Sequence, residues 1–436
     1  MNTRLTGTES RSTLRSVSDT RVSVGRRRLL QGAAALGVAA PLAALYARKR
    51  PEAGAPSPQL GPLIDDPEGL LDLPRGLAYR VLQREGDPMD DGRPLPGKPD
   101  GMGCFEGPDD TWILLRNHEL SPGMGGNDAQ REAYDPAMPG GVSRLVLNRA
   151  DLSPRSSHLV LTGTDRNCAG GVSPWGWLSC EESVAEGHGY VFVCPTDAGR
   201  LVAPQRIVGY GRFRHEAAAV VPDRHVCYLT EDRPDGCLYR FVPDDPAQPF
   251  EGRLQAMRVR GHPRFDTGDL AEAGASFPVD WVDLERPDAP EDTLRTDARL
   301  LGAAVVRRGE GLIHHDGVIY VCATSGGPQR AGQVFALDAE GTRLTLHAAS
   351  TDDRMLDHPD NVCVAPWGDV VVAEDGTGGN CLRGITAAGE AYDLARNALS
   401  QSELAGVCFS PDGDVLFVNL QHDGLTLAIT GDFPVA

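Results

Sequence analysis

Along most of the chain the apolar residues come in short alternating runs, each introduced by a turn. RHVCYLTED (224–232), GVIYVCATS (317–325), GDVVVAEDG (368–376) and GDVLFVNLQ (413–421) are typical, and they follow or contain Pro-Asp-Arg, His-Asp-Gly, Pro-Trp-Gly and Pro-Asp-Gly. Alternation of period two between turn signals predicts strands, and few stretches keep a helical period. The runs also share a frame. Cys168 to Pro174, Glu216 to Pro222, Asp360 to Pro366 and Ala405 to Pro411 each cover six steps; Glu310 to Asp316 fits with aspartate at the turn, and Asp100 to Glu106 fits loosely. A second strand is predicted after each turn, at 111–116, 177–180, 225–230, 318–323, 370–373 and 415–419. Six such units predict an all-β fold, a six-bladed β-propeller.

In a propeller the first strand of each blade lines the central channel. The residues opening those strands are Asp100, Cys168, Glu216, Glu310, Asp360 and Ala405. Acidic dipeptides or, once, a histidine-glutamate step close the second strands: His118-Glu119, Glu181-Glu182, Glu231-Asp232 and Glu374-Asp375. A single acid pair at a strand end is ordinarily a solvated turn. Acids sharing one phase across repeats are not independent, and a ring of like charge in one channel is costly unless cations occupy it.

Composition sharpens this picture. The chain has 42 basic and 61 acidic side chains, a net −19; residues 1–55 hold ten Lys/Arg and three Asp/Glu, so the remainder stands near −26. Such a chain is a poor partner for nucleic acid, which requires clustered basic residues. The leader reads GRRRLLQ at 25–31, a twin-arginine pattern, followed by a fifteen-residue apolar stretch, Gly32 to Tyr46, too short to span a bilayer. Ala53-Gly54-Ala55 is a small-x-small cleavage site. The expected organisation is therefore a signal peptide over 1–55 and one propeller domain over 56–436, exported folded through the twin-arginine translocon to the periplasm or beyond. Ten cysteines in an exported chain predict disulfides.

Carboxylate oxygens alone favour calcium or magnesium, whereas a thiolate at Cys168 favours iron or zinc, so the ring predicts a mixed site. A Cys168–Cys180 disulfide is the competing reading and would leave calcium only. Arg308 stands two before Glu310, on the same side of a strand, where its guanidinium could grip a phosphate. No GxSxG elbow and no Walker loop is present.

The segments NCAGGVSPWGWLSCEE (167–182), RHEAAAV (214–220), YLTED (228–232), RGEG (308–311), HPDN (358–361) and AEDG (373–376) resemble the PhoX family of exported alkaline phosphatases. That resemblance implies a six-bladed propeller carrying two iron and three calcium ions. It implies Cys168 as the thiolate bridging the irons, with Glu182, Glu216, Glu310, Asp360, Glu119 and Glu374 as carboxylate ligands. It implies Arg308 as the phosphate-gripping arginine, catalytic together with Glu310. Two features depart from the family: the chain is short, and the arginine-proline-glutamate element reads Arg308-Gly309-Glu310. The expected activity is metal-dependent hydrolysis of small phosphomonoesters by a monomer. A calcium-dependent propeller hydrolase such as a lactonase, or a calcium-bearing binding propeller, are the alternatives.

Overall fold

The computed structural model describes residues 54–125, 132–352 and 354–434. The twin-arginine motif and apolar leader therefore lie outside the described residues. Antiparallel meanders follow one another around a central channel. Blade 1 comprises Pro99–Gly107, Thr111–His118, Gly140–Asn148 and Pro154–Thr164; blade 2 comprises Asn167–Ser173, Gly176–Glu181, Val191–Cys194 and Gln205–Ile207. Blade 3 runs through His215–Val221, Val226–Glu231, Leu238–Pro243 and Gly252–Val259, and blade 4 through Gly309–His315, Val318–Ala323, Gln333–Asp338 and Arg343–Ala349. Blade 5 is Pro359–Val364, Val370–Glu374, Cys381–Ile385 and Ala391–Asn397. Blade 6 begins with Leu404–Phe409, Val415–Leu420 and Leu425–Gly431, and its outer strand is Leu77–Arg84, from the N-terminal side of the domain. That strand closes the circle without leaving the last blade's edge open. The strand Ser276–Asp283 pairs with the outer strands of blades 3 and 4 and joins them into one sheet.

The innermost strands pack in cyclic order, with Leu404–Phe409 against Pro99–Gly107. Cores lie between neighbouring blades. Tyr228, Met257, Phe335 and Leu337 fill the space between blades 3 and 4, and Trp112, Leu114 and Phe417 that between blades 1 and 6. Full burial of each such side chain is worth about 1.5–3 kcal/mol. Innermost strands approach so closely that a side chain has no room at some positions. A Cβ on Gly171 would lie 1.7 Å from the Ala218 carbonyl oxygen, and one on Gly311 would lie 2.3 Å from that of Asp360. These glycines lie just below the ring residues and keep the channel narrow there.

The cysteines correct an expectation. All ten are free thiols, and Cys168 and Cys180 are unpaired. The reason is placement: Cys180 packs between blades with Cys227 and Tyr210, whereas Cys168 sits beside Asp100 in the channel. All but Cys168 and Cys408 are buried, and most behave as small apolar residues.

Candidate metal centre and active site

The ring residue is the second residue of each innermost strand: Asp100, Cys168, Glu216, Glu310, Asp360 and, in blade 6, Ala405. The first residue pairs with the last residue of the neighbouring strand, as in Pro99↔His118, Asn167↔Glu181, His215↔Glu231, Gly309↔Ala323 and Pro359↔Glu374. Immediately afterwards the register slips in every blade, through shifts at Pro99/Met102, Asn167/Gly170, His215/Ala218, Gly309/Leu312, Pro359/Val362 and Ala405/Cys408. A bulge re-aims a side chain out of the ladder. Here it occurs where the ring residues turn into the channel.

A second tier comes from the residue just after each second strand: Glu119, Glu182, Asp232, Thr324, Asp375 and Gln421 all line the same cavity. The residue before it faces the other way, as strand alternation requires. His118 reaches the Gly97 carbonyl and Ser143; Glu181 accepts from the backbone N–H groups of Asp165 and Gly189 and contacts His188 Nδ1 at 2.7 Å; Glu231 accepts from the Tyr239 hydroxyl at 2.8 Å. Glu374 belongs to this set, turned away from the channel into the blade. It accepts from Asp357 N (2.8 Å), Cys381 N (3.1 Å) and Arg383 Nε (2.9 Å). The expectation that Glu374 faces the metals is therefore corrected: Asp375 lines the cavity instead.

The other expected residues do come together. Cys168, Glu119, Glu182, Glu216, Glu310, Asp360 and Arg308 all line one small cavity. Its wall carries nine carboxylates and one thiol against Arg166 and Arg308, a charge excess that isolated side chains would not tolerate. Three overlapping trios have ligand atoms within 4.8 Å of one another: Asp100/Glu119/Cys168, Cys168/Glu182/Glu216 and Glu216/Glu310/Asp360. Cys168 and Glu216 each belong to two trios, the sharing that bridged ions require. Glu216 Oε1 accepts from Ala169 N at 3.1 Å, while Oε2 is buried without a partner. A buried orphan carboxylate oxygen among acids fits a cation.

Burial, then the Glu119 charge, pushes Asp100 up to about 7. Burial also carries Glu182 up to about 7 against the opposing pull of Arg166. Glu216, Glu310 and Asp360 are driven well above the carboxylate range, by burial first and then by Asp360, Asp232 and Asp100 respectively. Burial, with Asp100 and Glu216 behind it, disfavours the Cys168 thiolate. Bound cations would reverse each of these directions. Glu403 adds an acid that the ring phase does not predict; burial and Asp375, with which it shares a hydrogen bond, push it up to about 11.

A third tier stands two residues before the ring: Lys98, Arg166, Arg214, Arg308, His358 and, in blade 6, Glu403. Sequence reasoning used this spacing for Arg308 alone, although it finds four more basic residues. Lys98, Arg166, Arg308 and His358 all hold left-handed φ between 49° and 54°, a conformation that non-glycine residues adopt at a cost and that clusters at functional sites. Arg308 donates from Nε and Nη2 to Asp232 (2.7 and 3.2 Å) and from Nη2 to Glu310 (2.7 Å). The glycine after Arg308, in place of the family's proline, thus leaves the arginine fixed by two carboxylates.

No curated protein matches this sequence. A structure of Pseudomonas fluorescens PhoX in complex with vanadate, a transition state analogue, superposes with a TM-score of 0.67 at 19% identity, covering 83% of this chain and 96% of that one. A Bacteroides thetaiotaomicron protein of unknown function has a TM-score of 0.47 at 12% identity, covering 82% and 76%. The first match shows the propeller fold. The family model for alkaline phosphatase PhoX matches residues 58–153 and 151–424, nearly all of the propeller domain, and the chain belongs to that family.

Proposed function

We propose that the chain is a metal-dependent phosphomonoesterase whose cavity holds iron and calcium through Cys168, Asp100, Glu119, Glu182, Glu216, Glu310 and Asp360. The observation that carries this reading is the set of overlapping trios, joined through Cys168 and Glu216, directly beside an arginine anchored by Asp232 and Glu310. When bound, the ions would offset the phosphoryl charge and activate water. Arg308 does the rest of the orienting. Asp232 and Glu310 hold its Nε–Nη2 edge, and Nη1 has no partner among the described residues, so it is left to donate to a phosphoryl oxygen. The narrow ring and buried walls limit water around the reacting group, which strengthens each of these contacts. The twin-arginine motif at 25–31 supports export of the folded, metal-loaded chain to the periplasm.

The test is p-nitrophenyl phosphate hydrolysis by protein purified from the periplasm, beside elemental analysis and a visible spectrum. About two irons with several calciums, colour and turnover are expected, and Cys168→Ala is expected to lose iron and colour with the activity. Calcium without iron and no turnover on phosphomonoesters would overturn the reading.

A further inference from the structure

The tier that supplies Arg308 supplies a second arginine held along the same Nε–Nη2 edge, by both oxygens of Asp232 for Arg308 and by Oε1 of Glu119 for Arg166. Arg166 opens blade 2 as Arg308 opens blade 4, at the same step before the ring and with the same left-handed backbone. Each guanidinium is anchored by the acid that follows the second strand of the preceding blade. Arg308 takes Asp232 of blade 3; Arg166 takes Glu119 of blade 1, with Nε at 3.2 Å and Nη2 at 2.6 Å. Each then reaches a second carboxylate through Nη2: Glu310 at 2.7 Å for Arg308, and Glu182 at 2.5 Å for Arg166. Each keeps Nη1 without a partner among the described residues, and both line the cavity. Arg214, between them on blade 3, touches Glu182 through Nη1 alone and does not line it.

From this repeated geometry we infer that Arg166 is a second phosphoryl-gripping residue. It donates from Nη1 to a non-bridging oxygen that Arg308 does not hold. The inference rests on the phosphatase reading. Two preset forks on either side of blade 3 would bind a trigonal array of equatorial oxygens better than one, because neither needs reorganisation when charge develops. The competing role is structural: Arg166 spans Glu119 and Glu182, one from each trio flanking Cys168, and could serve only to hold those carboxylates.

Metal-replete wild type, Arg166→Gln and Arg166→Lys separate the two. The readouts are metal content, the Kd for inorganic phosphate by calorimetry, kcat/KM on p-nitrophenyl phosphate and the thermal midpoint. The expected result for Arg166→Gln is unchanged metal content, phosphate binding weaker by about tenfold or more, and kcat/KM lower by about 10²–10³, the loss seen for one preset donor. Arg166→Lys keeps the charge without the fork and is expected to fall between. Metal lost together with phosphate binding, in both variants, would assign Arg166 to holding ligands and overturn the proposal. Unchanged Kd and kcat/KM in a folded, metal-loaded variant would also overturn it. A wild type that carries metal but neither binds phosphate nor turns over would instead overturn the phosphatase reading and this inference with it.

Discussion

Glu374 and Asp375 are adjacent acids with opposite fates, and substituting each separately tests the assignment of tiers. Glu374→Gln preserves shape and removes charge. Its Oε1 accepts from Asp357 N and Arg383 Nε and its Oε2 from Cys381 N, so an amide can satisfy at most the first two and turns an NH₂ toward the third. Arg383 is 2% exposed and loses one counter-charge while keeping Asp393. Removing one partner of a buried pair costs about 3–5 kcal/mol when the other is stranded. Here Asp393 remains, and burial already pushes Glu374 up to about 7 against the pull of Arg383, so part of the attraction is cancelled by desolvation. The lower end, about 3 kcal/mol, is the working figure. With unfolding entropy near 2.1 cal/mol/K per residue over about 380 residues, that is a fall of about 4 °C in Tm. Asp375→Asn should do the reverse: it removes a charge from a crowded cavity, so Tm of the metal-free protein stays or rises while calcium or iron content falls. Scanning calorimetry with elemental analysis on both variants decides. Metal loss from Glu374→Gln without a change in Tm would refute the assignment and restore Glu374 as a ligand.

Arg308→Lys keeps the charge but cannot reproduce the double contact with Asp232, so kcat/KM on an aryl phosphate should fall about 10²-fold with metal content unchanged; steady-state kinetics showing near wild-type turnover would contradict the role. Gly311→Ala puts a Cβ 2.3 Å from the Asp360 carbonyl and should destabilise by at least about 2 kcal/mol, which denaturant unfolding would measure and an unchanged midpoint would refute. Asp100 and Glu182 have folded pKa values raised to about 7, above their unfolded values, so the folded metal-free chain binds more protons and its stability is lost as pH rises from about 4 to 7. In a chelator, Tm should therefore be lower at pH 8 than at pH 5, and calcium should restore more of it at pH 8; a flat profile would contradict a crowded acid ring.

How much of this was legible follows from phase. The six-step frame locates the ring residues, one step inside the start of each innermost strand, because a turn at constant spacing leaves the strand before it no freedom of register. The second strands came out to within a residue or two for the same reason. Blade 6 showed only in part: its outer strand, Leu77–Arg84, pairs with Leu425–Gly431 across most of the chain, and no local signal announces it. The number of cysteines carries no information about their placement, and the fold separates them into blade cores and the channel. Glu374 is the last residue of its strand, one step out of phase with the cavity-lining acids. Glu119 and Glu182 are the second residues of their pairs, and the same rule selects Asp375. Period-two alternation settles which member of a strand-end pair faces the channel once one blade is fixed.

The three tiers also show why blade 6 resists a rule built on repetition. In blades 1 to 5 a basic residue or histidine stands two before an acid or thiol. Blade 6 places Glu403 at the first position and Ala405 at the second. Alanine withdraws a ligand from the ring, and the acid reappears one tier higher, where Glu403 hydrogen-bonds Asp375 in the cavity wall. A ring of six equal acids would hold its ions symmetrically and favour no direction of approach. Breaking the repeat in one blade leaves the trios on the arc from Asp100 through Cys168 and Glu216 to Asp360 and sets Arg166 and Arg308 on that same arc. The two arginines and the candidate ligands then line one cavity, the arrangement that the proposed activity needs if a phosphoryl group is to meet metal and guanidinium together.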